Sequence, residues 1–332
     1  MAGHVAVVGA TGAVGQEFIR VLEQRKFACS KMTFLASARS AGKTITFKSE
    51  PHTVVELTEN SFKGVDIALF SAGASISRKF APIAAQAGAV VVDNSSAFRM
   101  DPNVPLVVPE VNPEDISKHK GIIANPNCST IIMVVPVWPL HKLCPIQRLV
   151  VSTYQAASGA GYQAMVELEE QSRDLLAGKK VTPRVLPHRI AFNLFSHNSK
   201  ITANGYNEEE MKMVNETRKM FHCDEIQVSA TCVRVPVPRA HSEAINITFA
   251  RPVTEKQVFE TLRSAPGTRV VDDREKNYFP MPIDSSDGDD VLVGRIRQDI
   301  SQPDGRGIDL FVSGDQLRKG AALNAIQIAE RL

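Results

Sequence analysis

The amino-acid sequence predicts an α/β protein of two domains. The first is expected to be a parallel sheet with helices on both faces, and the second an α+β domain on a mixed or antiparallel sheet. Three observations predict this. The chain has 332 residues, too many for one small core and close to two domains of about 150 residues each. Short apolar strands alternate with helical stretches in the first half. Longer strands with fewer helices between them fill the second half.

Taken in order, residues 4–8 are a valine-rich strand ending in Gly-Ala-Thr-Gly-Ala-Val-Gly at residues 9–15. Val14, Phe18, Ile19 and Leu22 follow at helical spacing. Residues 31–36 and 65–70 read as strands, the latter running into Ser71-Ala72-Gly73. Residues 80–89 read as a helix, and residues 90–93 and 122–124 as the remaining strands of this half. In the second half, strands are expected over residues 148–156, 226–237, 244–250, 291–298 and 308–313. Residues 178–207 contain Pro183, Pro187, two histidines and Gly205, and are expected to form an extended, partly exposed connection. Residues 314–332 are expected to close the chain as an amphipathic helix, with Leu317, Ala321, Ala325 and Ile328 on one face.

Lysine plus arginine is 38 against 36 aspartate plus glutamate, a net charge of +2. That balance argues against a nucleic-acid or membrane-surface partner held by bulk charge. The most apolar stretch, residues 131–140, is short and broken by Pro136 and Pro139, well below a membrane span. The five cysteines include no C-x-x-C pair, and no basic region precedes the first apolar run. A cytoplasmic protein with reduced thiols is expected. Cys223 and Cys232 are too far apart for a zinc knuckle and no histidine pair has ligand spacing, so no metal site is expected.

Gly9-x-x-Gly12-x-x-Gly15 follows a strand and opens a helix. Small residues let backbone approach a diphosphate, and the helix start supplies N–H groups and positive dipole. This is a Rossmann-like signature, although a tight strand-to-helix turn needs the same glycines. An acidic residue after the second strand would hold a ribose 2′-hydroxyl. Here Ala36-Ser37-Ala38-Arg39-Ser40-Ala41-Gly42-Lys43 has no acid, but two hydroxyls, an arginine and a lysine. That set suits a 2′-phosphate, hence NADP, against the plainer reading of a solvated basic loop.

Asn125-Pro126-Asn127-Cys128 follows a strand and precedes an apolar run. Pro126 and Asn127 are helix-start residues. Cys128 is thus expected near a helix N-terminus, where the dipole favours a thiolate. A lone cysteine is more often a small packed residue, and Cys29, Cys144, Cys223 and Cys232 are read that way.

The chain resembles aspartate-semialdehyde dehydrogenases, bacterial ones in particular. The matching blocks run nearly end to end: VAVVGATGAVG, LASARSAGK, FSAGAS, VVDNSSAFRMD, VPEVN, ANPNCSTI, STYQAASGAG, NEEEMKM with NET following, SATCVRVPVPRAHSE and GDQLRKGAALNAIQIAE. The resemblance implies NADPH-dependent reduction of L-4-aspartyl phosphate to L-aspartate 4-semialdehyde with release of inorganic phosphate. That reaction feeds lysine, threonine, methionine and isoleucine synthesis and is reversible. It implies Cys128 as the thioester-forming nucleophile and His241 as general acid/base. It implies Arg234 on the substrate carboxylate, Gln155 as an orienting amide and Glu209 on the ammonium, with Glu208 and Glu210 leaving that register open. Arg99, Asn127 and Lys212 are implied as phosphate contacts; read alone, Arg99 and Lys212 would be surface charges. For NADP it implies Gly9, Thr11, Gly12, Ala13, Val14, Ser37, Arg39, Ser40, Ser71, Ala72, Gly73, Ser158, Gly159 and Gln316. It implies an NADP-binding domain of residues 1–127 with 314–332, and a catalytic and dimerisation domain of residues 128–313. Homodimers or tetramers are the implied assemblies. An N-acetylglutamyl-phosphate reductase would keep the cysteine, histidine and glycine loop but has no use for an acid facing a free ammonium. A catalytically silent NADP-binding relative would lack catalytic positions, and every one is filled here.

Overall fold

The computed structural model describes residues 2–332. The chain divides into two compact units, Met1–Asn127 with Ala321–Leu332, and Cys128–Gly320.

The first unit begins with strand β1 (Ala2–Val8), helix α1 (Ala13–Gln24) and strand β2 (Cys29–Ala36). A hairpin of β3 (Thr44–Phe47) and β4 (Glu50–Thr53) follows, then β5 (Val55–Glu56), β6 (Ile67–Phe70), helix α2 (Ala74–Gln86), β7 (Val90–Asp93) and β8 (Ile122–Ala124). Among the described residues, six strands form a parallel sheet in the order β5-β2-β1-β6-β7-β8. Val5, Ala6, Val7 and Val8 are all buried, as expected of strands covered on both faces. The strand order reverses between β1 and β6, so the loops after these two strands flank the switch point where such sheets bind ligands.

The second unit opens with helix α3 (Cys128–Leu143), strand β9 (Ile146–Gln155) and helix α4 (Tyr162–Leu176). Strand β10 (Phe195–Ser196), helix α5 (Glu208–Phe221), strands β11 (Gln227–Arg234) and β12 (His241–Phe249) and helix α6 (Glu255–Ser264) follow. Strand β13 (Thr268–Val270), the short helix α7 (Pro282–Ser285), β14 (Val291–Gln298) and β15 (Gly307–Gly314) complete it. Among the described residues, seven strands form one sheet in the order β10-β11-β9-β12-β15-β14-β13. The β11–β9 and β13–β14 pairs are parallel and the others antiparallel, so the sheet is mixed. Helix α3 is apolar nearly all round and buried from Ser129 through Val137, although it carries Pro136 and Pro139. It packs on β9, β12, β14 and β15 and on α5 and α6, which explains why it has no polar face.

Four sequence expectations shift. Helix α2 starts at Ala74, not residue 80, because Gly73 with φ +88° turns the chain directly into it. The strand expected to reach residue 237 ends at Arg234, because Pro236 and Pro238 cannot donate to a ladder. The strand expected from residue 244 begins at His241, which pairs with Gly314. The expected amphipathic helix over 314–332 does not form as one element. Gly314 still belongs to β15, Arg318–Ala322 is a π turn, and only Leu323–Ala329 is the α-helix α8. Leu323, Asn324, Ala325, Ile326, Ile328 and Ala329 are all buried, because α8 packs on α1, β6 and β7 of the first unit. Its pattern therefore reads as an enclosed helix and not a surface one.

Candidate active site

Strand register builds the site. Arg234 lies beside Gln155 across the β11–β9 pair, and Cys232 beside Thr153. Thr153 in turn lies opposite Glu243 on β12. Side chains two apart share a sheet face. One face of the sheet thus carries Arg234, Gln155 and His241 in one row, and Cys232, Thr153 and Glu243 in the next. All six are buried, whereas Tyr154, on the opposite face, is exposed.

His241 is fully buried. The Ala156 backbone N–H donates to its Nδ1 at 3.0 Å. A nitrogen that accepts cannot also carry the proton, so the neutral ring holds its proton on Nε2. Nε2 has no hydrogen-bond partner among the described residues. Burial, reinforced by the Arg234 charge, lowers the His241 pKa to about 3, so the ring is neutral at physiological pH. It presents one donor and keeps its acceptor occupied. Arg234 is arranged similarly: Nη1 donates to the Ala156 carbonyl at 3.3 Å, while Nε has no partner among the described residues. Leaving such donors buried and unpaired costs about 1–3 kcal/mol each unless a ligand meets them. A Cβ added at Gly159, which is exposed, would come within 2.8 Å of Arg234 Nη1 and 3.0 Å of His241 Nε2. Gly159 therefore lies against His241 Nε2 and the Nη1 end of the Arg234 guanidinium.

Cys128 is the first residue of α3 and is partly exposed. The helix N-terminus concentrates positive partial charge at the sulfur. The Arg234 guanidinium loses ground to burial but is supported first by Glu209 and then by the Cys128 charge, which places the sulfur within electrostatic reach of the row. The π turn lets Gly320 pass the nucleophile: its N–H bonds the Asp315 carbonyl at 3.0 Å, and a Cβ there would lie 3.0 Å from the Cys128 Cβ. Cys232 contrasts with Cys128. It is fully buried, its sulfur lies 3.8 Å from Met213 Sδ, and burial pushes its thiol pKa well up.

Helix α5 sorts its three glutamates. Glu208 is exposed. Glu210 and Asn207 form a reciprocal capping box, with N–H bonds of 2.8 and 2.9 Å, and Glu210 also accepts from the Cys232 N–H at 3.0 Å. Glu209 is buried and faces the row. It accepts from Gln155 Nε2 at 3.2 Å and from Lys212 Nζ at 3.0 Å.

Arg99, a surface charge when read alone, is buried. Its Nε donates to the Asn125 carbonyl at 2.9 Å and its Nη2 to the Asn94 carbonyl at 2.8 Å. Asn324 of α8 donates to Asn125 Oδ1 at 2.7 Å and to the Val107 carbonyl at 2.9 Å. These bonds brace the Asn125-Pro126-Asn127 segment, in which Asn127 is also buried.

In the first unit, the glycine loop and the Ser71-Ala72-Gly73 loop abut. A Cβ on Gly9, whose φ is +84°, would come within 3.0–3.1 Å of Ser71 and Ala72 backbone. The loops open α1 at Gly12 and α2 at Gly73, and neither N-cap makes a side-chain capping bond. That leaves helix-start N–H groups, including those near Ala13 and Val14, for an anion. Thr11 Oγ1 donates to Ser40 Oγ at 3.4 Å, joining the glycine loop to the short 3-10 turn Ala38–Ser40. Ser37 and Arg39 are exposed there, so a 2′-phosphate has access to both. These residues fit a dinucleotide. In the second unit, Gln316 Nε2 donates to Ser158 Oγ, and Gln316 Oε1 accepts from the Ala240 N–H at 2.9 Å. That last bond pins Ala240 at φ +71°, a left-handed conformation directly before His241.

Sequence reasoning missed His197, Ser199 and Glu243. His197 Nε2 accepts from Arg234 Nη2 at 2.8 Å, and its pKa falls to about 4, chiefly through burial. No motif marks it. Glu243 is fully buried, and neither carboxyl oxygen has a partner among the described residues. Its place two residues from His241 on one strand is the only available signal. Burial raises its pKa well above the ordinary carboxylate value. A folded-state pKa above the unfolded one favours the fold below the unfolded pKa, and that advantage disappears as pH rises toward the folded value. Glu243→Gln, which cannot ionise, is therefore expected to gain melting temperature relative to the parent as pH rises from 5 to 8.5. A difference independent of pH would mean that Glu243 is not held neutral.

Residues 4–119 match the family model "Semialdehyde dehydrogenase, NAD binding domain" and residues 137–319 match "Semialdehyde dehydrogenase, dimerisation domain". An aspartate-semialdehyde dehydrogenase of Synechocystis sp. is 58% identical over 329 residues, covering 99% of this chain and 97% of the relative. One from Bacillus subtilis is 49% identical over 337 residues, covering 99% and 97%. The crystal structure of aspartate semialdehyde dehydrogenase II from Vibrio cholerae, complexed with ASA, superposes with a TM-score of 0.97 at 45% identity, covering 100% of this chain and 98% of that one. The enzyme from Candida albicans with NADP superposes at 0.78 with 28% identity, covering 100% and 98%. By its two family-model matches and by full-length similarity, this chain belongs to the aspartate-semialdehyde dehydrogenase family.

Proposed function

We propose that the protein reduces L-4-aspartyl phosphate to L-aspartate 4-semialdehyde and inorganic phosphate, reversibly, with NADPH. One observation carries the reading: two buried donors without partners, Arg234 Nε and His241 Nε2, occur beside a buried glutamate in the unit that opens with Cys128. Such a set suits a substrate with a carboxylate, an ammonium and a reacting carbonyl. Residues 1–127 with 314–332 are the proposed NADP-binding domain, and residues 128–313 the catalytic and dimerisation domain. The compact units Met1–Asn127 with Ala321–Leu332 and Cys128–Gly320 follow the same break after residue 127 but keep residues 314–320 with the second unit. The proposed assembly is a homodimer through the second domain, able to pair into a tetramer, working in the cytoplasm; no helix of the described residues is long and apolar enough to cross a membrane.

Cys128 attacks the acyl carbon as thiolate, and the carbon–oxygen bond to phosphate breaks, leaving a thioester on Cys128. Arg99, Asn127 and Lys212 are the proposed phosphate contacts. Arg234 holds the substrate carboxylate through its planar fork. Glu209 faces the ammonium, and Gln155 orients both Glu209 and the substrate. Bound NADPH supplies hydride chemistry, held by Gly9, Thr11, Gly12, Ala13, Val14, Ser71, Ala72, Gly73, Ser158, Gly159 and Gln316, with Ser37, Arg39 and Ser40 on the 2′-phosphate. His241 acts through Nε2–H, donating to the oxygen of each tetrahedral intermediate on Cys128. Collapse of the second intermediate releases the aldehyde and returns the thiolate.

The test is phosphate-dependent NADP reduction with aspartate semialdehyde and, separately, N-acetylglutamate semialdehyde. Turnover of the first and not the second is expected, and Cys128→Ala should abolish it while NADP binding persists. Activity confined to the acetylated substrate, or turnover by Cys128→Ala, contradicts the reading. Arg39→Ala should lower the preference for NADP over NAD about tenfold, near 1.4 kcal/mol. An unchanged ratio removes Arg39 from the 2′-phosphate.

A further inference from the structure

The long connection between α4 and α5 contains a turn joining the two charges that grip the substrate. Strand β10 pairs antiparallel with the end of β11, Phe195 opposite Arg234 and Ser196 opposite Val233. The His197 N–H then bonds the Cys232 carbonyl at 2.8 Å, which sets His197 alongside Arg234. Arg234 Nη2 lies 2.8 Å from His197 Nε2. A guanidinium can only donate, so Nε2 accepts and the ring proton sits on Nδ1. Ser199 Oγ lies 3.1 Å from Nδ1 and takes that proton's hydrogen bond, although the Ser199 N–H also approaches Nδ1 at 3.2 Å. The same Oγ accepts the Glu209 backbone N–H at 3.1 Å. The hydrogen bonds therefore run without a break from Arg234 through His197 and Ser199 to the backbone of Glu209.

We propose that the His197–Ser199 turn is a positioning device that sets the spacing and orientation of Arg234 and Glu209, and so selects substrates bearing a carboxylate and an ammonium on one carbon. The inference rests on the roles given above to Arg234 and Glu209. Two charges on one carbon tolerate little variation in the distance between their partners. Arg234 comes from a strand and Glu209 from a helix, so their spacing needs a direct tie. The imidazole is suited to the task because it stays neutral: burial, with Arg234 and Lys212, outweighs Glu209 and lowers its pKa to about 4. A cation there could not accept from Arg234.

Neither His197 nor Ser199 is assigned to contact substrate or NADP, so a positioning role should separate KM from kcat. His197→Phe keeps a ring but offers no acceptor, and should raise KM for aspartate semialdehyde about tenfold, with kcat within about threefold and NADP affinity unchanged. His197→Gln can still accept from Arg234 and should recover most of the loss. Ser199→Ala should narrow the kcat/KM ratio between aspartate semialdehyde and succinate semialdehyde, which lacks the ammonium, by about tenfold. Circular dichroism and NADP titration establish that each variant is folded. Unchanged KM in His197→Phe together with an unchanged ratio in Ser199→Ala overturns the proposal, and so does a parallel loss of kcat and NADP affinity in His197→Gln. Parent-enzyme turnover of aspartate semialdehyde, measured alongside, reports on the proposed activity itself: an active parent with unaffected variants removes the turn's role and leaves the activity standing.

Discussion

The hydrogen bond from the Ala156 N–H to His241 Nδ1 is the constraint on which the site depends. It forms because β9 ends at Gln155 and β12 begins at His241, neighbours in the mixed sheet. The next backbone N–H after β9 has no strand partner to bond, and the imidazole supplies the acceptor. In return the ring is fixed in orientation and in tautomer. Its free donor, Nε2–H, shares the space beside Gly159 with Arg234 Nη1. Parallel pairing of β11 with β9 brings Arg234 into the same row. One sheet junction thus positions the proton donor, the guanidinium and the orienting amide together.

Burial supplies the electrostatics. The sheet face that carries Arg234 also carries Glu243 and Cys232, and desolvation pushes the carboxyl of Glu243 and the thiol of Cys232 toward neutrality. With those groups neutral, the charges that support Arg234 are chiefly Glu209 and Cys128, while Glu209 is also paired with Lys212 at 3.0 Å. A charge at Glu243 would compete for Arg234 in a low-dielectric setting where such competition is strong. The two histidines of the site, His197 and His241, are likewise both held neutral. The one fixed on Ala156 donates from Nε2, and the one fixed on Arg234 accepts there. Their opposite tautomers follow from the partner each is given.

Much of this was legible in the chain. Valine-rich runs before the glycine loop announced the parallel sheet, and the Asn-Pro-Asn-Cys segment placed Cys128 at a helix start because proline and asparagine stop a strand and begin a helix. Val90–Asp93 and Val291–Gln298 were readable to the residue, since turn-forming sequence bounds each. What was not legible depends on long-range partners. Nothing local shows that carbonyls of Asn94 and Asn125 await Arg99, so a buried arginine reads as a surface one. The last helix looked amphipathic because sequence cannot show that its polar residue Asn324 is enclosed and bonded to Asn125. The Glu209 register was open, yet Asn207-x-x-Glu210 is a capping-box spacing, and reading it so assigns Glu210 to the cap. His197 and Ser199 left no trace, because their bonds close only when β10 pairs with β11.

The most direct measurement is the protonation state of His241, followed by ¹⁵N NMR of histidine-labelled protein between pH 5 and 8, with His241→Asn used to assign the signal. A neutral ring protonated on Nε2 across the whole range is the expected result, since its pKa is lowered to about 3. A ring that titrates within that range, or one protonated on Nδ1, would contradict the tautomer fixed by Ala156 and with it the donor role of His241.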